Sequence, residues 1–325
     1  MTVTLLLILL HPDFYVWGMM AIMVILSVVT VCLCHRLRRR WHRCFCLLLL
    51  VLGWYVLLYG TFVGVRQLEV RHVEYASKDL PAAFDGYRIV QFSDAHVLSF
   101  GGWRRQLLRQ AVDSINAQYG DVIVFTGDLQ NKQAAEIGKH CQTLARLRAK
   151  DGIYAILGNH DYAMYIDCDS SQWRLMLNET IAMEERAGWK VLRNSHSIVR
   201  RGADSIVIAG MENDGEGRFP QLGDIGRTLH GVSPQSFVVM LEHSPTAWRR
   251  KILSQSQCQL TLSGHTHGGQ FALFGCSPTS FRYSENGGMY YEGDRAINVS
   301  TGLGGVIPIR FGVPPEIVVI TLRKK

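Results

Sequence analysis

The stretch Leu262-Ser-Gly-His-Thr-His-Gly-Gly-Gln270 constrains this chain more than any other. An apolar run, Leu260-Thr-Leu262, ends in Ser263-Gly264, and two histidines follow at a spacing of two. At the end of a strand, residues i and i+2 face the same side, so His265 and His267 can reach one centre or two adjacent ones. The glycines beyond them let the backbone turn tightly and approach that centre closely. Alone, a His-x-His is more often ordinary surface or core histidine, so the pair needs partners from elsewhere in the chain.

Four other stretches supply them. Asp94 and His96 follow the run 87–93, Asp128 follows 122–127, Asn159, His160 and Asp161 follow 153–158, and His243 follows 237–242. Each run is short and rich in apolar, β-branched or aromatic residues, as a buried strand is. In open α/β sheets, sites form beyond the carboxyl ends of the strands. Five runs delivering ligand-type side chains to one edge are poorly explained by chance.

The N-terminus is membrane-like. Residues 14–34 and 44–65 contain no charged residue, and each run can span a hydrocarbon core of roughly 30 Å as a helix. Between them His35-Arg-Leu-Arg-Arg-Arg-Trp-His-Arg43 carries five arginines. Short loops this basic stay cytoplasmic. The expectation is a multi-pass hairpin in the inner (cytoplasmic) membrane, with the C-terminal domain on the extracytoplasmic side. Arg38-Arg39-Arg40 before an apolar stretch also loosely resembles a twin-arginine export signal, which would export the same domain. Residues 1–10, also apolar, extend the first helix or lie at the interface.

Net charge is +7, but residues 1–80 hold eight Lys/Arg against four Asp/Glu, leaving 26 against 23 in the remainder. Much of the basicity thus belongs to the membrane segment, which argues against a nucleic-acid partner. Eight cysteines include no C-x-x-C pair, so a structural zinc site is not expected.

The expected organisation is a membrane anchor over 1–65, a linker or first edge strand over 66–86, and a catalytic domain over 87–325. Within the domain, apolar positions 107, 108, 111, 112 and 115 have helical spacing. Helices are expected at about 134–149, 171–187, 220–229 and 245–255. Strands are expected at 121–126, 153–157, 190–192, 196–200, 205–210, 237–242, 259–263, 289–292, 296–300 and 316–322. This βαβαβα order, then β-rich, fits two packed sheets with helices outside.

Asp, Asn and His together, without Cys, suit manganese, iron or zinc. Seven or eight such residues are too many for one tetrahedral ion and about right for two divalent metal ions sharing a carboxylate and a bridging water. Asp94-x-His96, Gly127-Asp128, Gly158-Asn159-His160-Asp161, His243 and Gly264-His265-Thr-His267 resemble, in order, the motif blocks of the calcineurin-like metallophosphoesterases. The resemblance covers 87–325. It implies an α/β fold, a four-layer αββα sandwich, with a dinuclear centre that hydrolyses phosphate mono- or diesters. By position it implies Asp94, His96 and His267 on one metal, Asn159, His243 and His265 on the other, and Asp128 bridging. It further implies His160 as general acid or transition-state donor, with Asp161 orienting it.

Ser263–Gln270, with Gly302-Leu-Gly-Gly, Pro308-Ile-Arg310 and Pro315-Glu316, is similar to the membrane-associated or exported bacterial subgroup of YkuE and YaeI type. Some relatives in that subgroup hydrolyse UDP-2,3-diacylglucosamine in lipid A synthesis. The best-known form of that hydrolase carries Arg where this chain has His160. Thr246 after His243-Ser-Pro245 departs from an expected Asp and puts a contact behind the ligands in question. The apolar anchor points to a lipid-linked phosphoester substrate, or serves location alone. A peptidase or amidase is the other metallohydrolase reading, lowered by the absence of His-Glu-x-x-His. Glu212–Gly217 reads as an acidic loop, and Arg310 as a phosphate contact or a structural salt bridge.

Overall fold

The computed structural model describes residues 11–36 and 39–325. The expectation for residues 1–10, and part of the arginine-rich loop at 37–38, lie outside the described residues.

Two helices open the described chain, α1 (Pro12–Arg36) and α2 (Arg40–Phe62). Both are long and apolar enough to cross a membrane, and only 6% and 17% of their most apolar windows are buried. They are therefore not core helices of a soluble domain. They pack on each other, with the Trp54 indole donating to Ser27 Oγ at 3.0 Å. A 3₁₀ turn, Gly64–Arg66, follows α2.

Twelve strands form two six-stranded sheets among the described residues. The first sheet has the order β1 (Glu69–Ser77), β12 (Glu316–Lys324), β2 (Arg88–Phe92), β3 (Val122–Phe125), β4 (Ile153–Ala155), β5 (Lys190–Val191). The second has the order β10 (Gly288–Glu292), β11 (Arg295–Val299), β9 (Leu260–Ser263), β8 (Phe237–Leu241), β7 (Asp204–Gly210), β6 (Ser195–Arg201). The strands β2 to β5 run parallel, as do β7, β8, β9 and β11. Their carboxyl ends therefore lie along one edge of each sheet.

The side-chain alternation of a strand builds the layers. Ile89, Val122 and Val124 meet Ile208, Val239 and Leu262 between the sheets. Val90, Phe92, Ile123 and Phe125 point the other way, onto Leu108, Ala111, Val112 and Ile115 of α3 (Arg105–Asn116). On the far side, Val238 and Met240 pack under Ala247, Trp248 and Ile252. Helix, sheet, sheet and helix make four layers, the αββα sandwich expected from the motifs.

Three expected helices differ, and of the two readings of residues 66–86, a linker or a first edge strand, the structure has the strand: β1 lies at the edge of the first sheet and pairs in parallel with β12 from Glu69 to Ser77. Leu80 and Phe84 beyond it are fully buried between the sheets, so this stretch is part of the packed domain rather than a linker. The helix expected at 134–149 is two single turns, Ala135–Gly138 and Cys141–Leu144. Gly138 is a poor helix former, and the Glu136 carboxylate turns back to accept from the amides of Asn131 and Lys132. The helix expected over Pro220–Leu229 is confined to Ile225–Thr228, because Asp224 caps it through the Arg227 amide. At 245–255, residues Trp248–Ile252 form a π-helical turn that runs into Leu253–Gln255. The longer helix α4 (Ser170–Arg186) opens with a capping box between Asp169 and Gln172.

Candidate metal centre

Every site residue read from the sequence lies just past a strand end. Asp94 and His96 follow β2, Asp128 follows β3, and Asn159, His160 and Asp161 follow β4, all on the first sheet. His243 follows β8, and His265 and His267 follow β9, on the second. The two groups meet where the sheet edges come together. Asp94, His96, Asp128, His265 and His267 all have φ between 41° and 75°. Non-glycine residues hold this left-handed conformation only where the surroundings impose it, and such positions cluster at functional sites.

The geometry centres on Asp128. Its Oδ2 lies 3.6 Å from His96 Nε2 and 3.2 Å from His243 Nε2. On one side, His96 Nε2 is 3.2 Å from His267 Nε2, which is 3.3 Å from Asp94 Oδ1. Ligand atoms of Asp94, His96, Asp128 and His267 all lie within 4.8 Å of one another, close enough to hold one cation. On the other side, His265 Nδ1 lies 2.8 Å from Asn159 Oδ1 and 3.3 Å from His243 Nε2. Asp94, His96, Asp128, Asn159 and His243 are buried, and His265 and His267 are partly buried.

Backbone carbonyls choose the free nitrogen of two rings. His96 Nδ1 is 3.2 Å from the Gln130 carbonyl, and His243 Nδ1 is 2.7 Å from that of Thr126. Each Nδ1 must donate, which turns the Nε2 lone pair toward the centre. Gly127 permits this approach, because a Cβ there would lie 2.8 Å from His243 Nδ1. The Nε2 atoms of His96 and His267 face each other 3.2 Å apart beside the Asp94 carboxylate, an arrangement that a divalent cation between them would satisfy.

The electrostatics agree. Burial holds His96 and His265 down to about 3, with neighbouring imidazoles adding to it, and it pushes His267 in the same direction. These rings are neutral and able to ligate. Burial also opposes charge on His243, but Asp128 and then Asp94 outweigh it and push the imidazole up to about 10. Burial, with Asp128 beside it, raises Asp94 to about 7. The donor set fits the dinuclear divalent centre of the family that the motifs resemble.

His160 borders the centre. Its Nδ1 lies 2.6 Å from the Asn131 carbonyl, and its ring stacks on Tyr165 with centroids 4.3 Å apart. Nδ1–H is therefore committed, and Nε2 is left to act. Asp161 departs from the expected role, because its carboxylate does not orient that ring. It accepts instead from the amides of Asp128, Leu129, Gln130 and Gly158 at 2.7–3.2 Å. Asp161 thereby shapes the turn that presents Asp128. The sequence did not reveal that the carbonyls of Thr126, Gln130 and Asn131 set the histidines.

Other expectations resolve simply. Arg310 is 2% exposed and donates to the carbonyls of Thr301, Gly302, Gly304 and His267. It is neither a phosphate contact nor a carboxylate partner. Glu212 meets Arg193, and Asp214 meets Arg250 and Lys251, so the acidic loop is neutralised by structural ion pairs. Thr246 Oγ1 lies 3.1 Å from Ser244 Oγ. All eight cysteines are free.

The calcineurin-like phosphoesterase family model matches residues 87–269, more than half of the chain. The metallophosphoesterase YkuE of Bacillus subtilis is 32% identical over 278 residues, covering 82% of this chain and 89% of its own. A zebrafish (Danio rerio) transmembrane protein with a metallophosphoesterase domain is 30% identical over 284 residues, 82% of this chain but only 60% of its own length. The UDP-2,3-diacylglucosamine pyrophosphatase LpxG of Chlamydia trachomatis is 27% identical over 311 residues, covering 79% of this chain and 91% of its own.

Proposed function

Because this chain belongs to the calcineurin-like phosphoesterase family, whose members hydrolyse phosphoester bonds, we propose that it is a membrane-anchored phosphodiesterase acting on a lipid-linked substrate. In this reading Asp94, His96 and His267 would hold one divalent cation and Asn159, His243 and His265 the second, with Asp128 available to both. The observation that carries it is the convergence of the His96 and His243 Nε2 lone pairs on Asp128 Oδ2, fixed by the Gln130 and Thr126 carbonyls.

When bound, the cations supply Lewis acidity to a water and to the phosphoryl oxygens. The chain does the rest. The Asn131 carbonyl holds His160 Nδ1–H, so a proton on Nε2 can pass to the departing oxygen. Asp161 keeps Asp128 in register through the turn amides. The buried surroundings keep His96, His265 and His267 neutral and available.

The lipid-linked reading is supported by the two apolar helices and by the names of the relatives. We also propose a two-pass topology in the inner (cytoplasmic) membrane, with the arginine-rich loop inside and the domain on the extracytoplasmic side. Similarity to the Chlamydia enzyme keeps UDP-2,3-diacylglucosamine hydrolysis as a second reading, although His160 stands where Arg is expected. Family membership removes support for a peptidase or amidase.

The test is hydrolysis of bis-p-nitrophenyl phosphate by the full chain in detergent, with Mn²⁺ and with chelator, beside Asp128→Asn. Activity that needs both metal and Asp128 is expected. A folded, metal-loaded protein inactive on bis- and mono-p-nitrophenyl phosphate alike would sink the phosphoesterase reading.

A further inference from the structure

One cavity borders the candidate centre, with a volume of about 440 Å³. His160, Asn131 and Tyr165 form its inner side. Lys132 and Arg218 bring two cationic side chains to it; among the described residues neither makes an ion pair, and the one carboxylate felt by Lys132, the buried Glu136, is taken up by backbone amides behind the wall. No carboxylate lines it. Two cations in a wall that holds no carboxylate select an anionic ligand.

The remaining wall comes from a different part of the chain. Pro12 and Tyr15, in the first turn of α1, close the cavity. That end of α1 is fixed to the domain. Asp13 pairs with Arg104, whose guanidinium also donates to the Ser99 carbonyl in the turn that follows His96. Beside Tyr15 the helix surface is aromatic and open, with Phe14 and Trp17 exposed. The cavity is thus cationic within and apolar at one rim, and the apolar rim belongs to a helix long enough to cross a membrane.

Resting on the phosphoesterase reading, we propose that this cavity receives the anionic headgroup of a lipid-linked phosphodiester. Lys132 and Arg218 recognise its anionic oxygens, and α1 is a wall of the substrate site rather than an anchor alone. The chemistry recognised is a phosphodiester, which could equally be carried by a soluble headgroup. The contribution of Tyr15 and its apolar neighbours is what favours the acylated form.

The experiment uses the full chain in mixed micelles. Binding of phosphatidylglycerol with a fluorescent acyl chain is measured in the presence of chelator, so that no turnover is needed. Competitors are unlabelled phosphatidylglycerol, phosphatidylcholine and deacylated glycerophosphoglycerol. Expected is displacement by phosphatidylglycerol at concentrations at least tenfold below those needed with the other two. The Lys132→Ala/Arg218→Ala double variant should weaken binding at least tenfold, and Tyr15→Asp should weaken it several-fold. Circular dichroism and thermal melts confirm that the variants are folded. Equal displacement by the deacylated headgroup would overturn the role of α1. Binding unchanged in the double variant, or equal displacement by phosphatidylcholine, would overturn the headgroup site. Hydrolysis of bis-p-nitrophenyl phosphate, run in parallel with Mn²⁺, reports separately on the phosphoesterase reading.

Discussion

The backbone amide of Arg310 donates to the carbonyl of Gly60 at 3.0 Å. The end of α2 is thereby joined to a loop whose arginine gathers the carbonyls of Thr301, Gly302, Gly304 and His267. Phe311 extends the junction by packing edge-on against Tyr55 and Tyr59 of α2. The apolar helices and the candidate centre therefore share one packed interface.

That interface gives a first prediction. A Cβ on Gly64 would lie 1.7 Å from the Arg310 carbonyl oxygen, an overlap with backbone that no rotamer change relieves. Gly64→Ala is expected to cost roughly 1–3 kcal/mol as overpacking, and to lower the melting temperature of the full chain in detergent. Gly18→Ala, where nothing lies within 4 Å of the added carbon, is the matched control and should melt no lower than the parent, since Ala favours the helix that Gly18 occupies.

Asp161 and His160 should separate cleanly. Asp161→Asn removes charge-assisted acceptance from the amides that hold the Asp128 turn. It is expected to lower stability by about 1.5–3 kcal/mol and to reduce bound metal, measured by denaturant melts and elemental analysis. His160→Ala should keep its metal and lose roughly 10²–10⁴-fold in turnover. Full metal content in Asp161→Asn would contradict this division of labour.

Metal should be visible in stability as well as in rate. A ligand present at 100 times its dissociation constant adds about 2.7 kcal/mol to the folded state. Mn²⁺ or Zn²⁺ is therefore expected to raise the melting temperature, and chelator to reverse the gain. The parent should hold two equivalents per chain. His265→Ala should lose one of them, with the four-residue cluster around His96 and His267 retained. A single equivalent in the parent would rule out the dinuclear assignment.

Glu184 carries a pH prediction. It is fully buried on α4, and neither carboxylate oxygen has a hydrogen-bond partner in the structure. Burial first, then Asp161, pushes its carboxyl well above the usual range. A carboxyl raised on folding binds its proton more tightly in the folded chain than in the unfolded one. Its penalty is absent below the unfolded pKa of roughly 4.5 and grows as pH rises above it. Glu184→Gln should therefore stabilise the protein more at pH 8 than at pH 5, as read by urea melts. An equal effect at both would show that the group ionises freely.

Much of this centre was legible because two regular signals coincide. Short apolar runs mark β2, β3, β8 and β9, and a ligand-type residue follows each within three positions. The spacing of Asp94 to His96, and of His265 to His267, then puts both members of a pair on one side. Helices were less legible where local capping outweighed apolar periodicity. Asp224 starts one helix late, and Glu136 folds back on the turn before another. The strand β1 was ambiguous because its burial comes from β12, a partner at the other end of the chain. The settings of His96, His160 and His243 depend on carbonyls that every residue carries, so residue identity could not announce them. Asp161 was misassigned for the same reason, since its partners are backbone amides.

The division of the ligands between the two sheets bears on how the molecule assembles. Asp94, His96, Asp128 and Asn159 leave the ribosome well before His243, His265 and His267. Until β8 and β9 dock, the earlier group is half a chelate, a cluster of carboxylates and imidazoles with no closure. The first sheet is itself incomplete until the C-terminal strand β12 enters between β1 and β2, so a cation held by residues of both sheets would act as a rivet across a seam that only the finished chain can close.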